Sequence, residues 1–444
     1  MFKELQIILK RKLQRIIRLK PFTLFLAVSL INALLFLILM PFLGEHGFNW
    51  VVMENNSDFE SADYFLCILF SLGKKDVYRF GVDACYSPLS YAFFYCISKI
   101  TSTDKLLQGL DLLSIPYEDL IGMTPKLLTS PYQLLAFVIY SIAGIALYIF
   151  VIGELNLEKW KGYLLSLMVL TSVPLMFGAV ERGNLTMYVA AMVLLALVFK
   201  DSSSPVKREL ALLLIAAAAG LKFYPAFMGI LYLKEKRFKE AGRLILYGIL
   251  FVFVPFVFFG GIDGIIELLN SLSSLAIQNN YRCRIQFFKG IIMTFGISGM
   301  IGNLLNTGFI CVLIILMLVT GNKTRMMVYL AAALAFYPPN AYRYTLLFFL
   351  LPLFTWAVEE AEKCSSSNYV KAFLFSSIFS IPTLWGIITH FRLSFGYYTL
   401  TYVEFFIYLA AWGLLGFTIL EDITEVVTWY RSKTCKVKRS GITG

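Results

Sequence analysis

Leu221-Lys222-Phe223-Tyr224-Pro225 sets a lysine between two short apolar runs, Ala211 to Gly220 and Ala226 to Leu233. A basic run, Lys234 to Arg243, follows at once. An ammonium group in hydrocarbon costs on the order of 3 kcal/mol even on the mildest scale. Lys222 therefore either faces a polar cavity within a membrane protein or marks a tight hairpin tip at the membrane surface. Both readings give a membrane chain with an interior polar site.

Composition agrees. The 444 residues are 59% hydrophobic and 15% charged, against roughly 25% charged in soluble domains. That length accommodates about a dozen spans of roughly 20 residues plus loops. The apolar segments are continuous rather than alternating, which argues against a transmembrane β-barrel. The net charge of +11 does not point to nucleic acid. The basic residues fall in short loops between apolar runs, as membrane orientation requires. The 7 cysteines show no metal-ligand spacing, and Cys67, Cys96 and Cys311 read as small hydrophobes. Cys85 and Cys283 fall on one side of the membrane in this reading, and spacing leaves their pairing open. The first apolar run follows Arg18 and Lys20, lacks an Ala-x-Ala ending and is followed by many more, so it is not a cleaved signal.

The expected fold is all-α and polytopic, with about twelve transmembrane helices and both termini inside. Residues 1–22 form a basic amphipathic lead-in on an anionic membrane face. Residues 23–420 form the transmembrane body, and 421–444 a basic cytoplasmic tail. The first span is Thr23–Met40. A long outer loop, 41–130, carries two apolar stretches too short to cross, Phe65–Leu72 and Pro88–Ile100, read as interfacial helices. A second outer region is 260–300. The hairpins Tyr163–Phe177 with Leu185–Phe199, and the one bearing Lys222, are built of undersized helices that leave a recess above them.

Polar residues gather on the outer side of this topology. Asp58, Glu60 and Asp63 lie in the first outer loop. Arg182, Asn184, Lys222, Tyr224, Asn340 and Arg343 stand at or near helix ends. Cations there suit a phosphate leaving group, and a carboxylate suits removal of a hydroxyl proton. Asn184 also reads as a helix cap, Lys222 as a snorkelling side chain, and Tyr224 as core material. No glycine-rich nucleotide-binding pattern is present, which favours a lipid donor. No cofactor is called for, and a divalent ion held by Asp58, Glu60 and Asp63 stays open.

Gly183-Asn184 before an apolar run is similar to the Gly-Gln-x-Asn region of the C-type fold glycosyltransferases. Ala219-Gly220-Leu221-Lys222-Phe223-Tyr224-Pro225 resembles their Ala-x-x-Lys-x-x-Pro segment, and Tyr78 with Tyr86-Ser87-Pro88 resembles their Tyr…Tyr-x-Pro stretch. The resemblance is nearest to the mannosyltransferase-like family 87 and spans roughly residues 20–360. Glu181-Arg182 precedes Gly183 without the family's Gln, and Arg343 stands where relatives carry another polar pattern. The resemblance implies an inverting hexosyltransferase of the cell membrane with its active site outside. The donor is a polyprenyl-phosphate sugar, with mannose the sugar it names, and the acceptor a glycolipid or surface glycan. It implies Asp58 as catalytic base. Asp63, Arg182, Asn184, Lys222, Tyr224 and Arg343 are then substrate or phosphate contacts. The competing class is a transporter or flippase of a lipid-linked saccharide, whose ionisable residues would sit near mid-membrane.

Overall fold

The computed structural model describes residues 19–51, 62–81, 84–107, 110–115, 130–278, 287–297, 299–338, 342–380, 393–395, 398–400 and 402–440, with scattered positions between 119 and 127. Asp58, Glu60, Cys283 and Asn340 lie outside the described residues. The architecture is helical throughout, apart from a short antiparallel pair, β1 (Leu393–Phe395) and β2 (Tyr398–Leu400).

The chain opens with α1 (Pro21–Val51). Two shorter helices, α2 (Ala62–Leu72) and α3 (Pro88–Ile100), pack against each other. They are the two stretches expected to be too short to cross. α4 (Pro131–Gly153) is a long apolar helix started by Pro131, whose fixed φ suits a first helical turn. α5 (Lys159–Leu170) runs into a π-helical segment, Val173–Val180, at a bend of 44°. Pro174 in that segment lacks the N–H that a regular continuation needs.

α6 (Thr186–Phe199) and α7 (Pro205–Leu221) form the next hairpin. Ser204 caps α7 by accepting from Lys207 N at 3.4 Å. A 3₁₀ turn, Tyr224–Met228, leads into α8 (Gly229–Lys234), and α9 (Phe238–Phe253) follows. Beyond lie α10 (Gly261–Gln278), α11 (Phe288–Thr294) and α12 (Gly299–Val319). In α13 (Lys323–Phe336) every residue from Met326 to Phe336 is buried, the signature of a helix in the middle of a core. A 3₁₀ segment, Arg343–Phe349, then enters α14 (Leu350–Glu359), followed by α15 (Ser366–Phe379) and α16 (Tyr402–Ser440).

Among the described residues, four helices are long and apolar enough to cross a membrane alone: Pro131–Gly153, Phe238–Val257, Gly299–Val319 and Phe405–Tyr430. The bent pair α5 and Val173–Val180 makes a fifth if it counts as one span. The protein is thus an all-α, multi-pass membrane protein. By length and composition, the described helices account for four or five of the expected twelve or so spans. Several apolar runs are broken into a helix plus a 3₁₀ or π piece, as at Tyr224–Met228 and Arg343–Phe349. α6, at 14 residues, is about 21 Å long, short of a hydrocarbon core of about 30 Å.

Polar side chains sit at two levels joined by these helices. One level is a belt of ion pairs. Lys161 meets Glu158 and Glu362, each at 2.7 Å. Lys200 meets Asp201 at 2.9 Å and Glu235 at 2.5 Å. Lys371 meets Glu360 and Glu421, each at 3.2 Å. Arg325 meets Asp422 at 2.5 Å. α6 leads away from this belt to Asn184, and α7 to Lys222, at the second level.

Candidate active site

The second level is assembled by three breaks in helical structure. After the π-helical segment, the chain turns through Glu181, Arg182 and Gly183. Gly183 has φ +62°, a left-handed conformation that favours glycine. A Cβ there would lie 2.5 Å from Tyr64 Cβ and 2.9 Å from Phe137 Cε2. This turn is tied to α2: Tyr64 N donates to the Arg182 carbonyl at 3.2 Å.

Asp63 stands in the first turn of α2, where a carboxylate complements the helix dipole. Arg182 grips it with two parallel bonds, Nε to Oδ2 and Nη2 to Oδ1, both 2.9 Å. This is the fork geometry of a strong charge-assisted pair. The two side chains are 17% and 19% exposed.

Asn184 is buried at 1% exposure. Its Nδ2 donates to Asp63 Oδ2 at 2.7 Å and to Tyr86 OH at 3.1 Å. Its Oδ1 accepts from Thr186 N at 2.9 Å, Thr186 Oγ1 at 2.7 Å and Lys222 Nζ at 3.1 Å. Both amide donors are therefore committed. Asn184 joins Asp63 to Lys222 without letting the two touch, and the bond to Thr186 N also makes it a local cap of α6.

Lys222 ends α7 in an extended conformation. The last carbonyls of α7 would otherwise lack partners. Ser90 Oγ donates to the Leu221 carbonyl at 2.7 Å, and Ser87 Oγ to the same carbonyl at 3.1 Å and to that of Gly220. The start of α3 thus sits on the end of α7 and brings Tyr86 to the lysine. The Lys222 ammonium lies 4.7 Å from the Tyr86 ring centroid and 4.9 Å from that of Tyr344. The Arg182 guanidinium lies 5.2 Å from the Tyr342 ring.

Tyr342 and Tyr344 arrive through Gly178. A Cβ on that residue would come within 2.9 Å of Tyr344 N and 3.0 Å of Arg343 Cγ. Its absence lets the Arg343–Phe349 segment lie against the π-helical one.

Asp63, Arg182, Asn184 and Lys222 thus form one connected network. Tyr224 joins at its edge, with its OH 3.5 Å from Thr186 Oγ1. Arg343 packs its stem on Gly178 while its neighbours on either side reach the two cations. Tyr86, Tyr342 and Tyr344 were not anticipated as parts of the site. Only the Tyr86-Ser87-Pro88 stretch pointed toward one of them.

A helical membrane protein with a half-buried carboxylate, two cations and three tyrosines between broken helices is equipped to hold an anionic, polar substrate beside lipid. Residues 120–358 match Glycosyltransferase family 87, more than half of the 444-residue chain, and the chain belongs to that family. The matched segment contains Arg182, Asn184, Lys222, Tyr224 and Arg343, while Asp63 and Tyr86 precede it. No curated protein matches the chain. No solved structure matches it.

Proposed function

We propose that this glycosyltransferase moves one sugar, with mannose the first candidate, from a polyprenyl-phosphate donor to a glycolipid or surface glycan, inverting the anomeric centre. The bond from the anomeric carbon to the phosphate oxygen breaks as the acceptor oxygen attacks from the opposite face. The electron pair leaves with the lipid phosphate, and the acceptor proton goes to a carboxylate.

The observation that carries this reading is a buried lysine, Lys222, and a half-buried arginine, Arg182, both with uncommitted donors. An ammonium has three N–H groups, and Lys222 spends one of them on Asn184 among the described residues. Arg182 has Nη1 uncommitted among the described residues after its two bonds to Asp63. Asp63, Arg182 and Lys222 together carry one net positive charge. Such donors, already oriented in a water-poor site, stabilise charge developing on the phosphate. Asp63 supports them rather than serving as base, because its two oxygens already accept three hydrogen bonds. The base in this reading is Asp58, five positions earlier in the chain. The site faces the extracytoplasmic side, and shorter broken helices complete about twelve membrane segments.

The test uses purified protein in nanodiscs with radiolabelled polyprenyl-phosphate mannose, and glucose and arabinose donors beside it. Single-turnover transfer by Lys222→Ala should fall about 100-fold or more, the usual scale for losing one oriented oxyanion donor. Unchanged turnover and donor affinity in a folded Lys222→Ala protein would remove the lysine from the reaction. A saccharide carried across the bilayer with no transfer would replace the enzyme by a flippase.

A further inference from the structure

Four lysines are buried among the described residues: Lys161, Lys200, Lys222 and Lys371. Three of them contact two carboxylates each. Lys222 contacts none among the described residues. Its neighbours are the Asn184 amide oxygen and the faces of Tyr86 and Tyr344. Burying an ammonium without a counter-charge is costly unless something else stabilises its charge.

We infer that Tyr86 and Tyr344 are positioning residues that clamp the Lys222 ammonium between two ring faces, leaving two of its N–H groups for an oxygen of a lipid-phosphate anion. A tyrosine ring attracts a cation through its quadrupole and carries no charge of its own. A carboxylate in the same place would also hold the lysine, but would cancel the charge that an incoming phosphate needs. Each ring is fixed from behind. The Tyr86 hydroxyl accepts from Asn184 Nδ2 at 3.1 Å, and its backbone N donates to Tyr91 OH at 3.3 Å. Tyr344 is held by the close approach of its backbone to Gly178. The phosphate half of this inference rests on the proposed function, whereas the clamp does not.

The groups facing Lys222 are Asp63 and Cys67 of α2, Cys85 and Tyr86 ahead of α3, Arg182 before α6, and Tyr344. The experiment reads the reactivity of Lys222 itself. Purified protein in nanodiscs, without substrate, is pulsed with acetic anhydride across a pH series, and acetylation of the Lys222 peptide is followed by mass spectrometry. Tyr344→Phe keeps its ring face and should keep the wild-type midpoint, whereas Tyr86→Phe also loses the bond from Asn184 and is not used as a control. Tyr86→Leu and Tyr344→Leu remove a face, so the charged form loses stabilisation and the midpoint should fall by about one pH unit. If one leucine variant does not fold, the other carries the test. Leucine variants at the wild-type midpoint, or Tyr344→Phe displaced as far as Tyr344→Leu, overturn the clamp. In a second arm, sugar-free polyprenyl phosphate should protect wild-type Lys222 from acetylation. No protection would sink the phosphate assignment and leave the clamp standing. Equal protection by inorganic phosphate would assign the site to free phosphate.

Discussion

At the residue scale, the two carboxylates Asp58 and Asp63 separate by what each would lose. Asp63→Asn keeps the shape but removes the charge that compensates Arg182. Breaking a buried pair costs about 3–5 kcal/mol. This one is partly exposed, so about 2 kcal/mol is the expectation once solvent screening is allowed for. Asp63→Asn should therefore lower the unfolding temperature and transfer together. Asp58→Asn should leave the unfolding temperature alone and cut single-turnover transfer by about 100-fold or more, the scale of a lost general base. Thermal melts and single-turnover assays on the two variants decide. A silent Asp58→Asn beside a collapsed Asp63→Asn would move the base to Asp63.

Much of this site was legible residue by residue. Lys222 drew attention because a cation between apolar runs is costly. Arg182 and Asn184 stood out as polar residues between two apolar stretches. Their mutual distances were not legible, since Asp63 and Arg182 are 119 positions apart and no spacing rule links them. The tyrosines were hidden for a different reason. A ring that packs on a cation has the same sequence appearance as one that packs in a core, and the chain has 25 tyrosines.

At the element scale, the site depends on irregularity. Gly183→Ala forces a side chain into a left-handed conformation, costing about 1–2 kcal/mol, and drives it into Tyr64 and Phe137. Overpacking of that kind adds about 1–3 kcal/mol. The variant should melt well below wild type and lose the Tyr64 to Arg182 contact that places Asp63. Ser90→Ala tests the seat of α3 on α7 and should cost about 1 kcal/mol. Serine at position 90 is small and buried, so a larger loss would indicate that α3 has left its place. Hydrophobic runs gave α4 and α12 almost to the residue, because a continuous apolar run of that length has one reading. The hairpins that hold the π-helical segment and Tyr224–Met228 read as undersized helices, but their π and 3₁₀ geometry is not visible in the sequence. Their apolar composition matches that of a regular helix, and what distinguishes them is proline and the close approach of the Arg343–Tyr344 segment at Gly178.

At the scale of the whole molecule, the two polar levels differ in kind, and that difference carries the orientation. The belt holds Lys20, Lys161, Lys200, Lys207, Arg237, Arg325 and Lys371, each with carboxylate partners. Loops rich in lysine and arginine stay on the cytoplasmic side, so the belt is expected inside and the Lys222 level outside. Cys364 lies exposed in the loop between α14 and α15, beside the belt residues Glu360 and Glu362. Lys236 is exposed in the turn between α8 and α9, and Ser114 is exposed in the region expected outside. Single cysteines at 364, 236 and 114, in a background without other cysteines, can be offered a membrane-impermeant maleimide on intact cells. Position 114 should label at once. Positions 236 and 364 should label only after the membrane is opened. Immediate labelling at 236 and 364 with protection at 114 would turn the molecule over. It would place the clamped lysine and the Asp63–Arg182 pair against the cytoplasmic leaflet, where an extracytoplasmic lipid-phosphate sugar could not reach them.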